Sequence, residues 1–151
     1  MSKKKKKLVA VSGGFDPIHI GHVRMIQDAR KIGDVIVFLN TDAWLKRKKG
    51  YSFMSWDERA EILLGMKGVK EVYSAMDDDD TVCEALKFYK PDVFANGGDR
   101  KPGKVPEYQI CEELGIEMAF SVGGDDKPQS SSWLVDKVKY SKMDHGNGIV
   151  F

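Results

Sequence analysis

Leu8-Val9-Ala10-Val11-Ser12-Gly13-Gly14-Phe15-Asp16-Pro17-Ile18-His19-Ile20-Gly21-His22 decides how the rest of the chain is read. A four-residue apolar run that stops at Ser12-Gly13-Gly14 is too short for a helix and reads as a buried strand ended by a glycine turn. Pro17 suits the start of a helix, and Ile20, Val23, Ile26 and Ala29 then recur at helical spacing to about Lys31.

The same alternation continues outward. Val35-Ile36-Val37-Phe38-Leu39 is a continuous apolar strand between Gly33-Asp34 and Asn40-Thr41-Asp42, as expected for a strand covered on both faces. Lys46–Gly50 reads as a basic loop. Ser55, with Glu58 three residues on, reads as a helix cap, and Ala60, Ile62, Leu63, Leu64 and Met66 as that helix's inner face. Further strands are expected at Val69–Ser74, Asp92–Asn96 and Ile116–Phe120. Helices are expected near Thr81–Tyr89, Pro106–Leu114 and Ser131–Tyr140, with the acidic run Asp77–Asp80 complementing the dipole of the first of these. Parallel strands need long crossovers, which helices supply. The expected fold is therefore a single-domain α/β, three-layer, doubly wound (Rossmann-like) sheet of about five parallel strands. Residues 1–7 read as a basic flexible leader, 8–142 as the domain and 143–151 as a loose tail.

The 151 residues suit one domain, with 42% hydrophobic and 31% charged residues. Lysine and arginine number 24 against 23 acidic residues, but five of the bases lie in Lys3–Lys7, so the body is mildly acidic and no nucleic-acid partner is expected. No apolar stretch is long enough for a membrane span or a signal-peptide core. Cys83 and Cys111 offer neither a disulfide framework nor zinc spacing, and a reducing cytoplasm is the default expectation.

In doubly wound sheets, ligands collect beyond the carboxyl ends of the strands. Three loops lie there: Ser12–His22, Asn96–Lys104 and Gly123–Ser132. In the first, Gly13 and Gly14 allow close backbone approach, Gly21 leaves room, and His19 and His22 lie on one side of the first helical turn. Two imidazole N–H donors at a positively polarised helix end suit an anion, above all one whose charge grows during a reaction. Zinc is the rival, but His-x-x-His lacks a third ligand nearby. Gly98–Val105 approaches a P-loop pattern, yet Val105 cannot hold magnesium and Pro102 removes an amide from the cradle.

Gly14-Phe15-Asp16 with His19-Ile20-Gly21-His22 resembles the H-x-G-H signature of the cytidylyltransferase-like nucleotidyltransferase superfamily. The resemblance spans about residues 8–140, with Gly97-Gly98-Asp99 and Asp80-Thr81 most similar to the heptose-phosphate adenylyltransferase branch and glycerol-3-phosphate cytidylyltransferase also near. It implies His19 and His22 as catalytic donors to an α-phosphate, fixed also by backbone at Gly14 and Phe15, with Gly13, Asp16 and Gly21 as further nucleotide-binding residues. It implies base and ribose against Gly98, Asp99 and Arg100, and β- and γ-phosphates on Gln129, Ser130, Ser131 and Ser132. Without the resemblance, those serines read as a helix-cap cluster. Cytidylyltransferases of the family carry an arginine before this element; this chain has Asp125-Asp126-Lys127, leaving Lys127 as the replacement. Lys48 or Lys49, and Arg59, are the implied contacts to substrate or phosphate.

The implied reaction passes AMP or CMP from ATP or CTP to a small phosphorylated acceptor, releasing pyrophosphate, with Mg2+ carried on the nucleotide phosphates and no metal held by the protein. A homodimer is one expectation, since members of the family are often dimers. FMN adenylylation and a non-catalytic nucleotide-binding module are the alternatives. A class I aminoacyl-tRNA synthetase fragment shares His-Ile-Gly-His, but 151 residues leave no room for tRNA-binding parts.

Overall fold

The computed structural model describes residues 6–97, 106–120, 122–124, 130–131 and 133–138. Within them the chain alternates β1 (Leu8–Gly13), α1 (Ile20–Ala29), β2 (Asp34–Leu39), α2 (Asp42–Lys49), α3 (Trp56–Leu64), β3 (Val69–Ser74), α4 (Cys83–Tyr89), β4 (Val93–Ala95), α5 (Tyr108–Leu114) and β5 (Glu117–Ala119). Residue 131 and residues 133–138 begin a further helical segment.

All five strands are parallel, in the order β3-β2-β1-β4-β5. The chain winds outward from β1 to β3, then returns to place β4 on the other side of β1. The carboxyl ends of β1 and β4 therefore mark the switch point of the sheet, the place where ligands collect in this architecture. β1 and β2 pair in full register from Leu8↔Asp34 to Gly13↔Leu39.

Strand alternation splits the core into two layers. Val9, Val11, Val35, Val37 and Leu39 face Ile26 and Ala29 of α1 and Ala60 and Leu63 of α3. Ala10, Ile36, Phe38 and Phe94 face Ala85 and Leu86 of α4 and Cys111 of α5. The apolar run in β2 is buried because both of its faces are covered. This is the expected doubly wound, single-domain α/β fold.

Several local expectations need correction. Lys46–Gly50 is not a loop but the last turn of α2, started by Thr41, whose hydroxyl accepts the Trp44 amide at 3.1 Å, and ended by Gly50 at φ +85°. In α3, Ser55 caps Glu58 as expected, but Ile62 and Leu64 are exposed rather than inward. Lys7 does not belong to a free leader, because its carbonyl accepts the Asp34 amide at 2.9 Å and extends the sheet ladder. Residues 1–5 and the tail 143–151 lie outside the described residues. Among the described residues no helix is long and apolar enough to cross a membrane.

Candidate active site

The loop after β1 is held from below by buried side chains. Gly13 accepts the Asn40 amide at 2.9 Å, and Phe15, at φ +50°, turns its ring into the core. A Cβ on Gly14 would stand 2.9 Å from Leu45 Cδ2, and Leu45 is fully buried, so a side chain here would force Leu45 to shift. Asp16 is completely buried, and its carboxylate accepts the Phe53 and Met54 amides at 2.6 and 2.7 Å. It therefore anchors the turn before α3, where the resemblance implied a nucleotide contact.

His19 is the N-cap of α1 rather than part of its first turn. Its Nδ1 accepts the Gly21 amide at 3.1 Å, while His22 Nδ1 accepts the His19 amide at 3.2 Å, a reciprocal capping box built from two imidazoles. An Nδ1 that accepts carries no proton, so each neutral ring holds its proton on Nε2. The rings stack with centroids 3.8 Å apart, and Phe15 lies 4.5 Å from His22 on its other side. Burial first, then the neighbouring His19 and Lys49, push the His22 imidazole down to about 3 from its ordinary 6.5. His22 is thus a neutral donor across the physiological range. Helix start, imidazole pair and tautomer come from one local arrangement.

α2 presents two faces. Asp42, Leu45 and Lys49 form one stripe at i, i+3 and i+7, with Leu45 against Gly14 and half-buried Lys49 one turn further along. Arg47 and Lys48 face away and pair with Asp80 at 3.0 Å each. Hydrogen bonds from Arg47 and then Lys48 hold the Asp80 carboxyl below its ordinary range. Of the two lysines expected at the phosphate, Lys49 is the one beside His22, and Lys48 is committed to Asp80.

Arg59 corrects the expectation placed on it. Its side chain is fully buried and donates to Gly14 O at 2.7 Å, Asn40 O at 2.8 Å, Met54 O at 3.0 Å and Asp42 Oδ1 at 2.7 Å. The guanidinium sits inside the wall, joining the loops after β1 and β2 to the start of α3, with its fork engaged by three carbonyls and a carboxylate.

The start of the final helical segment reaches the first loop. Ser131 Oγ donates to Pro17 O at 2.7 Å, Ser130 Oγ accepts the Trp133 amide at 3.4 Å, and both serines are buried. Ser130 is therefore a helix cap, and the start of the final helical segment lies over the His19 loop. Gly123, at φ +91°, donates to Asp28 at 2.9 Å and lies against the Met25 backbone. Tyr51 had no signal in the sequence. Burial, then the carboxylates of Asp136 and Asp16, raise its hydroxyl above the ordinary tyrosine range.

The structure thus brings together Gly13, Gly14, Phe15, His19, Gly21, His22, Lys49, Ser130 and Ser131. Gly98, Asp99, Arg100, Lys127, Gln129 and Ser132 lie outside the described residues. Among the described residues no group of three or more His, Cys, Asp or Glu could hold a metal ion. The wall made by His19, His22 and Lys49 offers donors and positive charge, a surface for an anion.

A family model described as cytidylyltransferase-like matches residues 10–119. The chain is 37% identical over 141 residues to the bifunctional protein HldE of Syntrophotalea carbinolica, covering 90% of this chain and 28% of that protein. The bifunctional protein HldE of Campylobacter concisus is 36% identical over 145 residues, covering 94% and 29%. The chain therefore spans less than a third of the length of these relatives. Among solved structures, the lipopolysaccharide core biosynthesis protein from Thermoplasma volcanium GSS1 superimposes with a TM-score of 0.64 over 77% of this chain and 94% of that one, at 21% identity. That likeness bears on the fold alone.

Proposed function

The chain belongs to the cytidylyltransferase-like family of nucleotidyltransferases, and on that premise we propose that it transfers AMP from ATP to a small sugar phosphate, releasing pyrophosphate. The observation that carries this reading is the pair of stacked imidazoles, each accepting a backbone amide at Nδ1, an arrangement that puts the proton of a neutral ring on Nε2. Adenylyl rather than cytidylyl transfer is favoured by the likeness of Gly97-Gly98-Asp99 and Asp80-Thr81 to the heptose-phosphate adenylyltransferase branch.

An oxygen of the acceptor phosphate attacks the α-phosphorus, the bond to the bridging oxygen breaks, and pyrophosphate leaves. A phosphate monoester is already anionic at neutral pH, so the protein needs no general base. Its task is to position two anions and to stabilise charge on the equatorial oxygens. His19 and His22 donate from Nε2 to the α-phosphate, and Lys49 offsets the repulsion between donor and acceptor phosphates. Because His22 stays neutral, it binds the growing charge without giving up a proton. The amides of the Gly13–Phe15 turn and of the final segment's first turn supply further donors. Magnesium brought with the nucleotide would offset charge on its phosphates.

A pyrophosphate-release screen tests the proposal, crossing ATP and CTP against heptose 1-phosphate, glycerol 3-phosphate, phosphoethanolamine, phosphocholine and flavin mononucleotide. Release with ATP and the sugar phosphate is expected. Release only with flavin mononucleotide, or only with CTP, would replace the proposed substrates.

A further inference from the structure

The acidic run Asp77–Asp80 reads in the sequence as a complement to the dipole of α4. The structure gives it different work. Asp77 is buried, and its carboxylate is filled by Asn40 Nδ2 at 3.0 Å, the Thr41 amide at 2.9 Å and Thr41 Oγ1 at 2.9 Å. Thr41 is the N-cap of α2, so Asp77 grips the start of that helix. Arg47, in its last turn, donates to the Asp77 carbonyl at 3.2 Å and to Asp80 at 3.0 Å, and Lys48 pairs with the other Asp80 oxygen at 3.0 Å. One four-residue turn therefore holds both ends of α2.

Rotation about a helix axis is the motion such a grip prevents. α2 has only eight residues, a mostly charged sequence and a single fully buried side chain, Leu45. The Asp42–Arg59 ion pair at 2.7 Å pins its start, while packing alone leaves its last turn weakly determined. The 100° spacing of successive residues means that fixing Arg47 and Lys48 outward also fixes Lys49 toward the first loop, on the Leu45 stripe.

We infer that Asp80, supported by Asp77, is a positioning residue for nucleotidyl transfer: it orients α2 so that Lys49 stands beside the imidazole pair. This rests on the proposed transfer reaction. Asp80 touches no reacting atom and acts through Lys49 alone, which makes its contribution conditional on that lysine.

A double-mutant cycle tests the dependence. Asp80 has φ +65°, a conformation asparagine also accepts, so Asp80→Asn removes the charge while keeping the backbone. Two readouts are taken for wild type, Asp80→Asn, Lys49→Met and the double variant: kcat/KM for pyrophosphate release, and the affinity for inorganic tripolyphosphate by calorimetry. Asp80→Asn is expected to lower both by about 10-fold in the wild-type background and by less than about 2-fold in the Lys49→Met background. Equal losses in the two backgrounds would overturn the inference, as would a Lys49→Met variant that loses nothing. If the wild type releases no pyrophosphate with any substrate pair, the transfer reading fails, while tripolyphosphate affinities still decide whether Asp80 acts through Lys49. Absence of tripolyphosphate binding to the wild type would sink the inference as well.

Discussion

Ser131 Oγ donates to Pro17 O at 2.7 Å, a bond across 114 residues that fastens the final helical segment to the loop carrying the imidazoles. Pro17 belongs to the loop after β1, and Ser131 to the start of the final helical segment. Removing the hydroxyl leaves a carbonyl without its donor and frees the segment that covers the loop. Ser131→Ala is expected to lower stability by about 1 kcal/mol. It should also raise KM for the nucleotide more than it lowers kcat. Denaturant unfolding and steady-state kinetics check the two parts.

Each imidazole caps α1, and under the proposed reaction each is also a donor to the α-phosphate. His19→Ala removes a cap acceptor at a cost of about 1 kcal/mol, which a domain with two covered core layers tolerates. The same change deletes a donor to charge that develops in the transition state, and a loss of about 100- to 1,000-fold in kcat is expected for His19→Ala and for His22→Ala. Circular dichroism should show the native fold in both variants.

The depressed His22 value makes stability depend on pH in a definite direction. Between about 3 and 6.5 the unfolded chain binds a proton at His22 that the folded chain excludes. Folding is therefore favoured fully above about 6.5 and loses this contribution as pH falls from 6.5 toward 3. His22→Gln should show a shallower decline over that window in urea titrations. Heteronuclear NMR of the wild type should show His22 neutral, with its proton on Nε2, throughout the physiological range.

Arg59→Lys discriminates a wall residue from a phosphate ligand. An ammonium cannot replace a fork that reaches three carbonyls and a carboxylate. A loss of about 2–4 kcal/mol in unfolding free energy is expected, since buried carbonyls are left without donors. Unchanged stability with a raised KM would instead put the side chain on the substrate.

Much of this was readable in the chain. The uninterrupted apolar run of β2 announces burial on both faces, and Gly13-Gly14 followed by His19 and His22 marks the strand end at the switch point of the sheet. What stayed hidden depends on partners distant in sequence. α2 has one buried side chain among four consecutive bases, so its apolar periodicity is too thin to register, although Thr41 and Gly50 bracket it with cap chemistry. Nothing local distinguishes Arg59 from a solvated arginine, because its acceptors come from Gly14, Asn40, Asp42 and Met54. Asp77 and Asp78 read alike, yet only Asp77 meets Asn40 and Thr41 across 37 and 36 residues. The tautomers of His19 and His22 needed the backbone amides to be placed before they could be assigned.

Phosphorus NMR of ATP, magnesium and heptose 1-phosphate mixed with the protein tests the central claim most directly. The expected result is a new pair of coupled diphosphate resonances growing in step with pyrophosphate, and neither signal with His22→Ala. Release of orthophosphate in place of pyrophosphate, or equal product growth with His22→Ala, would contradict it.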